Sequence, residues 1–202
     1  MIIELAISRL KSIMERKGYA FFERGAYNLN IIGFRSETRI ANRFDDRLVN
    51  VFKNEEGDWK WNDYPITTDA GTYWLKNPMI DEKGCALLVP NQYRGVYKID
   101  KHNGKYDALC QRLGDVEVYR DNNRDMVLDF DPTTTDTGRF GINIHKSNPH
   151  RESKRVDKWS AGCQVFQSNL DFDVFMEDCK KASKIWGNKF SYTLLTYKDL
   201  RI

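Results

Sequence analysis

Phe140-Gly141-Ile142-Asn143-Ile144-His145 alternates in character, with Ile142 and Ile144 on one face and Gly141, Asn143 and His145 on the other. A period of two marks a half-buried β-strand. Working outward, similar short runs occupy residues 28–34, 48–52, 86–89, 96–99, 116–119 and 126–130. Turn residues separate them, as in Glu55-Glu56-Gly57-Asp58, Asp81-Glu82-Lys83-Gly84, His102-Asn103-Gly104-Lys105 and Asp121-Asn122-Asn123. Each cluster offers the positive φ or side-chain capping that a tight turn needs. Strands at this spacing, without long helices between them, predict an antiparallel or mixed β core.

Helical patterning is confined to the two ends. Over residues 2–17, Ile3, Ala6, Ile7, Leu10, Ile13 and Met14 fall on one face, and Gly18 supplies a stop. Residues 170–186 read as a second helix with Leu170, Val174, Phe175, Ala182 and Ile185 as its buried face, and 190–197 as a last strand. The expected architecture is α+β and mainly β: a single domain over 1–202, with the helix at 1–18 packed on it.

Composition supports a packed domain. The 202 residues are 41% hydrophobic and 30% charged, which suits a globular chain rather than a disordered one. Five Trp, ten Tyr and eleven Phe favour strands and broad contact surfaces. With 32 basic and 29 acidic residues the charge is too balanced to indicate nucleic acid. No apolar run approaches the roughly eighteen residues of a transmembrane helix. Met1-Ile2-Ile3-Glu4 has no basic region ahead of its apolar residues, so no secretory signal is expected and delivery to the outside would need another route.

Cys85, Cys110, Cys163 and Cys179 lack Cys-x-x-Cys spacing, and only His102, His145 and His150 accompany them. Neither zinc nor a disulfide framework is expected, and no cofactor is implied. Cys163 has the most unusual neighbourhood, Trp159-Ser160-Ala161-Gly162-Cys163-Gln164-Val165-Phe166. Small residues before a sulfur let backbone N–H groups approach a developing oxyanion. A thiol becomes nucleophilic when a base or cation lowers its pKa, and His145, closing its strand, is the best-placed base. Lys146, Arg151, Lys154, Arg155 and Lys158 lie between them and are expected to favour the thiolate.

His145, a gap of fourteen residues and then Ser160-Ala161-Gly162-Cys163 resemble the signature of the L,D-transpeptidase catalytic domain. The resemblance covers about twenty residues closely. It implies that Cys163 is the acyl-accepting nucleophile and His145 its base, with Ser160 and Gly162 shaping the site and the N–H groups near Gly162 and Cys163 as oxyanion donors. It also implies peptidoglycan stem peptides as the partner and no metal. Ala161 stands where the family has a second histidine, and Val165 where it usually has Asn or Arg. Hydrolysis survives those departures more easily than cross-linking, because it needs only nucleophile, base and oxyanion site. Two other readings stay open: a thiol peptidase or amidase on another substrate, and a non-catalytic wall-binding or virion-structural module.

Lys146, Ala161, Tyr93 and Arg94 are expected to border the substrate, Arg94 by pairing a stem-peptide carboxylate. Asp121, Asn123, Asp125 and Asp129 match four ligand offsets of a calcium loop. Met126 stands at the position of the sharp-turn glycine, so a polar hairpin turn is the simpler expectation. His102 is expected as a solvated turn residue and His150 as loop surface.

Overall fold

A computed structural model describes residues 2–79 and 82–201. Asp81, at the start of the expected turn at 81–84, lies outside the described residues. In chain order the elements are α1 (Ile2–Arg16), β1 (Asn30–Arg35), β2 (Asp46–Lys53), β3 (Trp59–Thr67), α2 (Thr72–Lys76), β4 (Cys85–Leu88), β5 (Gln92–His102) and β6 (Tyr106–Gln111). They continue with β7 (Val116–Asp121), β8 (Asp136–Gly138), β9 (Ile144–Lys146), β10 (Gln164–Phe166), α3 (Asn169–Trp186) and β11 (Phe190–Thr196). Eight strands close into a barrel in the order β1-β11-β5-β6-β9-β10-β3-β2, and β4-β7-β8 form a small separate sheet. Pairing is antiparallel except at β1–β11 and β9–β10.

The barrel strands β1 and β2 are buried on both faces, which is why they read as continuous apolar runs. Ile31, Leu48 and Phe52 face the main core, which also holds Tyr64, Phe166 and Tyr192. Ile32, Phe34, Val49 and Val51 face outward onto Ile7, Leu10, Ile13 and Met14 of α1. The N-terminal helix therefore seals one side of the barrel, as its pattern predicts. It ends at Gly18 (φ +70°), where Tyr19 N–H bonds Met14 O and Gly18 N–H bonds Glu15 O. This is the Schellman arrangement.

On α3 the expected face is only partly right. Phe175 and Ala182 are buried, but Leu170, Val174 and Ile185 are exposed. The stripe that packs is Phe172, Phe175, Met176, Cys179 and Ala182. Two aromatic rings at i and i+3 bury more area than the aliphatic set and set the rotation of the helix. Ser168 caps it by accepting from Asp171 N–H.

Two expected strands are shortened or lost. Positive φ at Arg124 and Met126 breaks the 126–130 run, leaving one bridge, Ile40 to Val127. Positive φ at Gly141 interrupts 140–145, so the ladder holds only Ile144–Lys146. Strands β3 and β6 go unread in the sequence because polar residues break their alternation. The hairpin at Asn103-Gly104 forms as expected, with φ positive at both residues and Lys105 N–H bonding His102 O at 2.9 Å.

Among the described residues no helix is long and apolar enough to cross a membrane.

Candidate active site

The parallel β9–β10 ladder sets Val165 beside His145, and Gln164 N–H bonds Asn143 O at 2.9 Å. Cys163 thus enters the same edge of the barrel, and its side chain and that of His145 line one cleft of about 530 Å³. Gln164, the next residue, is buried; its Oε1 accepts from Tyr192 OH at 2.8 Å. A Cβ on Gly33 would lie 1.9 Å from that hydroxyl, so the bare glycine of β1 lets Tyr192 reach across the barrel and hold β10.

The turn before the sulfur is tightly determined. Ser160 Oγ donates to Cys163 O at 2.9 Å and accepts from Gly162 N–H at 3.1 Å. Gly162 has φ +125°, and a Cβ there would lie 1.9 Å from Ala86 O. Gly71 N–H bonds Ser160 O at 2.9 Å, which ties the turn to the start of α2. Ser160 is therefore a buried hydroxyl that holds the turn together. The Gly162 N–H, expected as an oxyanion donor, is already used by Ser160. Ser160→Ala should cost about 1–3 kcal/mol, because it leaves the buried Gly162 N–H without its partner. Urea unfolding checks it, with Ser160→Thr expected to recover part of the loss.

His145 is buried, and its Nδ1 lies 2.8 Å from Lys146 O. That carbonyl can only accept, so Nδ1 carries the proton and Nε2 is left as a proton acceptor. Tyr106 OH also donates to Lys146 O at 3.2 Å. The His102 ring stacks on His145 with centroids 4.0 Å apart. Asn143 Oδ1 accepts Gln111 N–H at 2.9 Å, which orients its amide so that Nδ2 donates to His102 Nδ1 at 3.1 Å. His102 Nε2 lies 3.1 Å from Asn103 Nδ2. The expectation of a solvated His102 is overturned: the Asn-Gly hairpin folds it back over the cleft.

Burial decides the protonation states. It pushes the Cys163 thiol up to about 11, although the Asn143 backbone N–H directed at the sulfur acts the other way. Burial, and then His102, lower His145 to about 3. Without ligand the two groups are a thiol and a neutral imidazole, not an ion pair. Of the basic loop expected to favour the thiolate, Arg151, Lys154 and Arg155 line a different depression and Lys146 Nζ pairs with Asp173, which leaves only Lys158 at the cleft. The alkylation rate of Cys163 by iodoacetamide should rise about tenfold per pH unit from 7 toward 10, without a plateau near the ordinary histidine range. Peptide mapping of the labelled site at each pH measures it, and a plateau below pH 8 would contradict the neutral pair.

Three expected substrate contacts are not at the cleft. Tyr93 is buried, with its OH donating to Val89 O at 2.6 Å, because β5 turns that face into the core. Arg94 lies outside, its guanidinium 5.6 Å from the Phe22 ring. Lys146 Nζ turns onto α3, 3.0 Å from Asp173, so only its carbonyl serves the site. Ala161 does line the cleft. His150 is exposed in its loop.

At the acidic turn, Asp125 Oδ1 accepts Val127 N–H and Asp121 Oδ2 accepts Asp129 N–H. Asn123 donates to both Asp125 and Asp129. These oxygens cap the loop's own donors, and no cluster suited to a metal occurs among the described residues.

The sequence reading missed His102, Arg112, Arg120, Arg139 and Phe140 as lining residues. They come from hairpin and strand ends far apart in the chain; only the Asn103-Gly104 turn beside His102 carried a local signal. No protein-family model, curated protein or solved structure matches this chain.

Proposed function

We propose that this cleft performs acyl transfer at a peptide carbonyl through a Cys163 thioester, acting on the stem peptides of peptidoglycan. The observation that carries the reading is that Cys163 and His145 line one cleft, with the His145 tautomer leaving Nε2 as acceptor. The substrate class comes from the resemblance of the Ser160-Ala161-Gly162-Cys163 turn and His145 to the L,D-transpeptidase signature.

In the reaction, the Cys163 proton passes to His145 Nε2 as the sulfur attacks the carbonyl carbon. The Cys163 N–H, which has no hydrogen-bond partner among the described residues, faces the oxyanion role that Gly162 cannot fill. The C–N bond breaks and the leaving amine takes the proton from His145. Water then attacks the thioester, His145 accepting its proton and returning it to the sulfur; an amine acceptor would give a cross-link instead. Hydrolysis is the favoured direction, since Val165 is fully buried and offers no polar group where the family usually has one. Wall fragments incubated with the protein and read by mass spectrometry should show trimmed peptides. Unchanged fragments would overturn the proposal.

A second reading has one specific observation in its favour: a thiol held up to about 11 suits a cleft that binds without turnover. It predicts co-sedimentation with purified sacculi and no product.

A further inference from the structure

Asn143 reaches both sides of the cleft. Its backbone O accepts Gln164 N–H at 2.9 Å, and its backbone N–H is directed at the Cys163 sulfur. Its buried side chain acts on the histidines. Gln111 N–H occupies Oδ1 at 2.9 Å. Gln111 is itself pinned, with Nε2 donating to Gly138 O at 2.9 Å and Oε1 accepting Ile142 N–H at 3.1 Å. Turning the Asn143 amide over would leave Gln111 N–H facing a donor, so Nδ2 stays toward His102 Nδ1, 3.1 Å away. A charged imidazole carries a proton on both nitrogens. Charging His102 would therefore set its new Nδ1–H against the Asn143 amide N–H.

The consequence falls on His145. The two rings stack with centroids 4.0 Å apart and planes 19° apart, so two positive charges there would repel strongly. One ring must stay neutral if the other is to take a proton. His145 has Nδ1 committed to Lys146 O and Nε2 left as acceptor, whereas His102 has Nδ1 covered by Asn143. The surroundings of His102 act in the same sense: burial, then Arg112 and Lys105, lower its proton affinity. Tyr106, the other titratable ring against it, lies tilted at 5.6 Å.

We propose that Asn143 is a positioning residue: its side-chain amide holds His102 as a neutral ring against His145, so that His145 alone of the two accepts the thiol proton. The proton transfer rests on the acyl-transfer reading; the clamp on His102 does not.

The test is Asn143→Asp in the intact protein. The change keeps an acceptor for Gln111 N–H and puts a carboxylate oxygen opposite His102 Nδ1, which then favours a proton on that nitrogen. With histidine labelled at its ring nitrogens, long-range proton–nitrogen correlation spectra at pH 7 should show the parent His102 with a bare Nδ1. His145 should show a protonated Nδ1 and a bare Nε2. In Asn143→Asp the His102 titration should move up by about one unit or more. Should that variant not fold, Asn143→Ala carries the test: with no donor at Nδ1, the His102 proton should spread over both nitrogens. A parent His102 protonated at Nδ1, or substitutions that leave its titration and tautomer unchanged, would overturn the clamp. Turnover of wall fragments reads the proton transfer. In Asn143→Asp, kcat should fall about tenfold from pH 8 to pH 6 with KM unchanged, because a charged His102 opposes a charged His145; the parent should show no such loss. Equal pH profiles would overturn that part. A parent inactive on wall fragments would sink the proposed function and the proton transfer with it, while the spectra would still decide the clamp.

Discussion

Cys163→Ala should reduce product formation from wall fragments by more than about 10³-fold, to the level of the uncatalysed mixture. The sulfur is the only protein atom in the proposed scheme that bonds to the substrate carbon, so no neighbouring group substitutes for it. The fold should survive. The residue is partly exposed at the cleft, and its thiol lies 3.4 Å from Gly141 O and receives the Asn143 backbone N–H. Loss of one small side chain there should cost about 1 kcal/mol or less. His145→Ala should lower activity comparably, because nucleophile and base act as a unit. It removes a buried ring stacked on His102, so its far-ultraviolet circular dichroism and thermal midpoint must be compared with the parent before activity is read. Normal turnover by either variant, measured by mass spectrometry of the fragments, would refute the assigned roles.

Gly162→Ala should damage both stability and activity. Two penalties coincide: φ of +125° lies where L side chains are rarely found, and the new Cβ would meet the Ala86 backbone oxygen at 1.9 Å. A backbone carbonyl of β4 cannot swing aside as a side chain would. Strain of this kind costs about 1–3 kcal/mol for the dihedral alone, and the clash adds to it. The chain must relieve it by moving the 160–163 turn, which breaks the Ser160 Oγ to Gly162 N–H bond and displaces Cys163. Lower stability in urea and loss of turnover are therefore expected together. As a control, Gly104→Ala changes a positive-φ glycine with nothing within 4 Å of the added Cβ. It should cost stability through φ alone, and less.

The periodic parts of the chain were legible because each rests on neighbours in sequence. The α1 stripe through Ile7, Leu10, Ile13 and Met14 needs only the 3.6-residue repeat, and Gly18 ends it by local geometry. The Asn103-Gly104 hairpin needs only two residues tolerant of positive φ. The turn from Ser160 to Cys163 was legible as a close-approach segment, and its Ser160 Oγ hydrogen bonds are local to it. What misled was any segment whose fate depends on a remote partner. Leu170 and Val174 are as apolar as a core residue, yet Phe172 and Phe175 won the contact with Phe166 and left them in solvent. Tyr93 and Arg94 looked like substrate contacts, but the face that β5 turns to the barrel settled otherwise.

The amino-acid order by itself determined a mainly β chain with a helix near each end, and singled out one cysteine and one histidine. Periodicity, glycine placement and small residues act over a few positions and can be read in one dimension. Only the tertiary structure decided that eight strands close into a barrel, that His102 stacks on His145, and that Arg112, Arg120, Arg139 and Lys158 line the cleft that Cys163 lines. It also decided that thiol and imidazole rest neutral, against the expectation drawn from the basic loop. The reason is physical: pKa and potential depend on how much water is excluded and which charges converge, and both follow from packing between segments far apart in the chain.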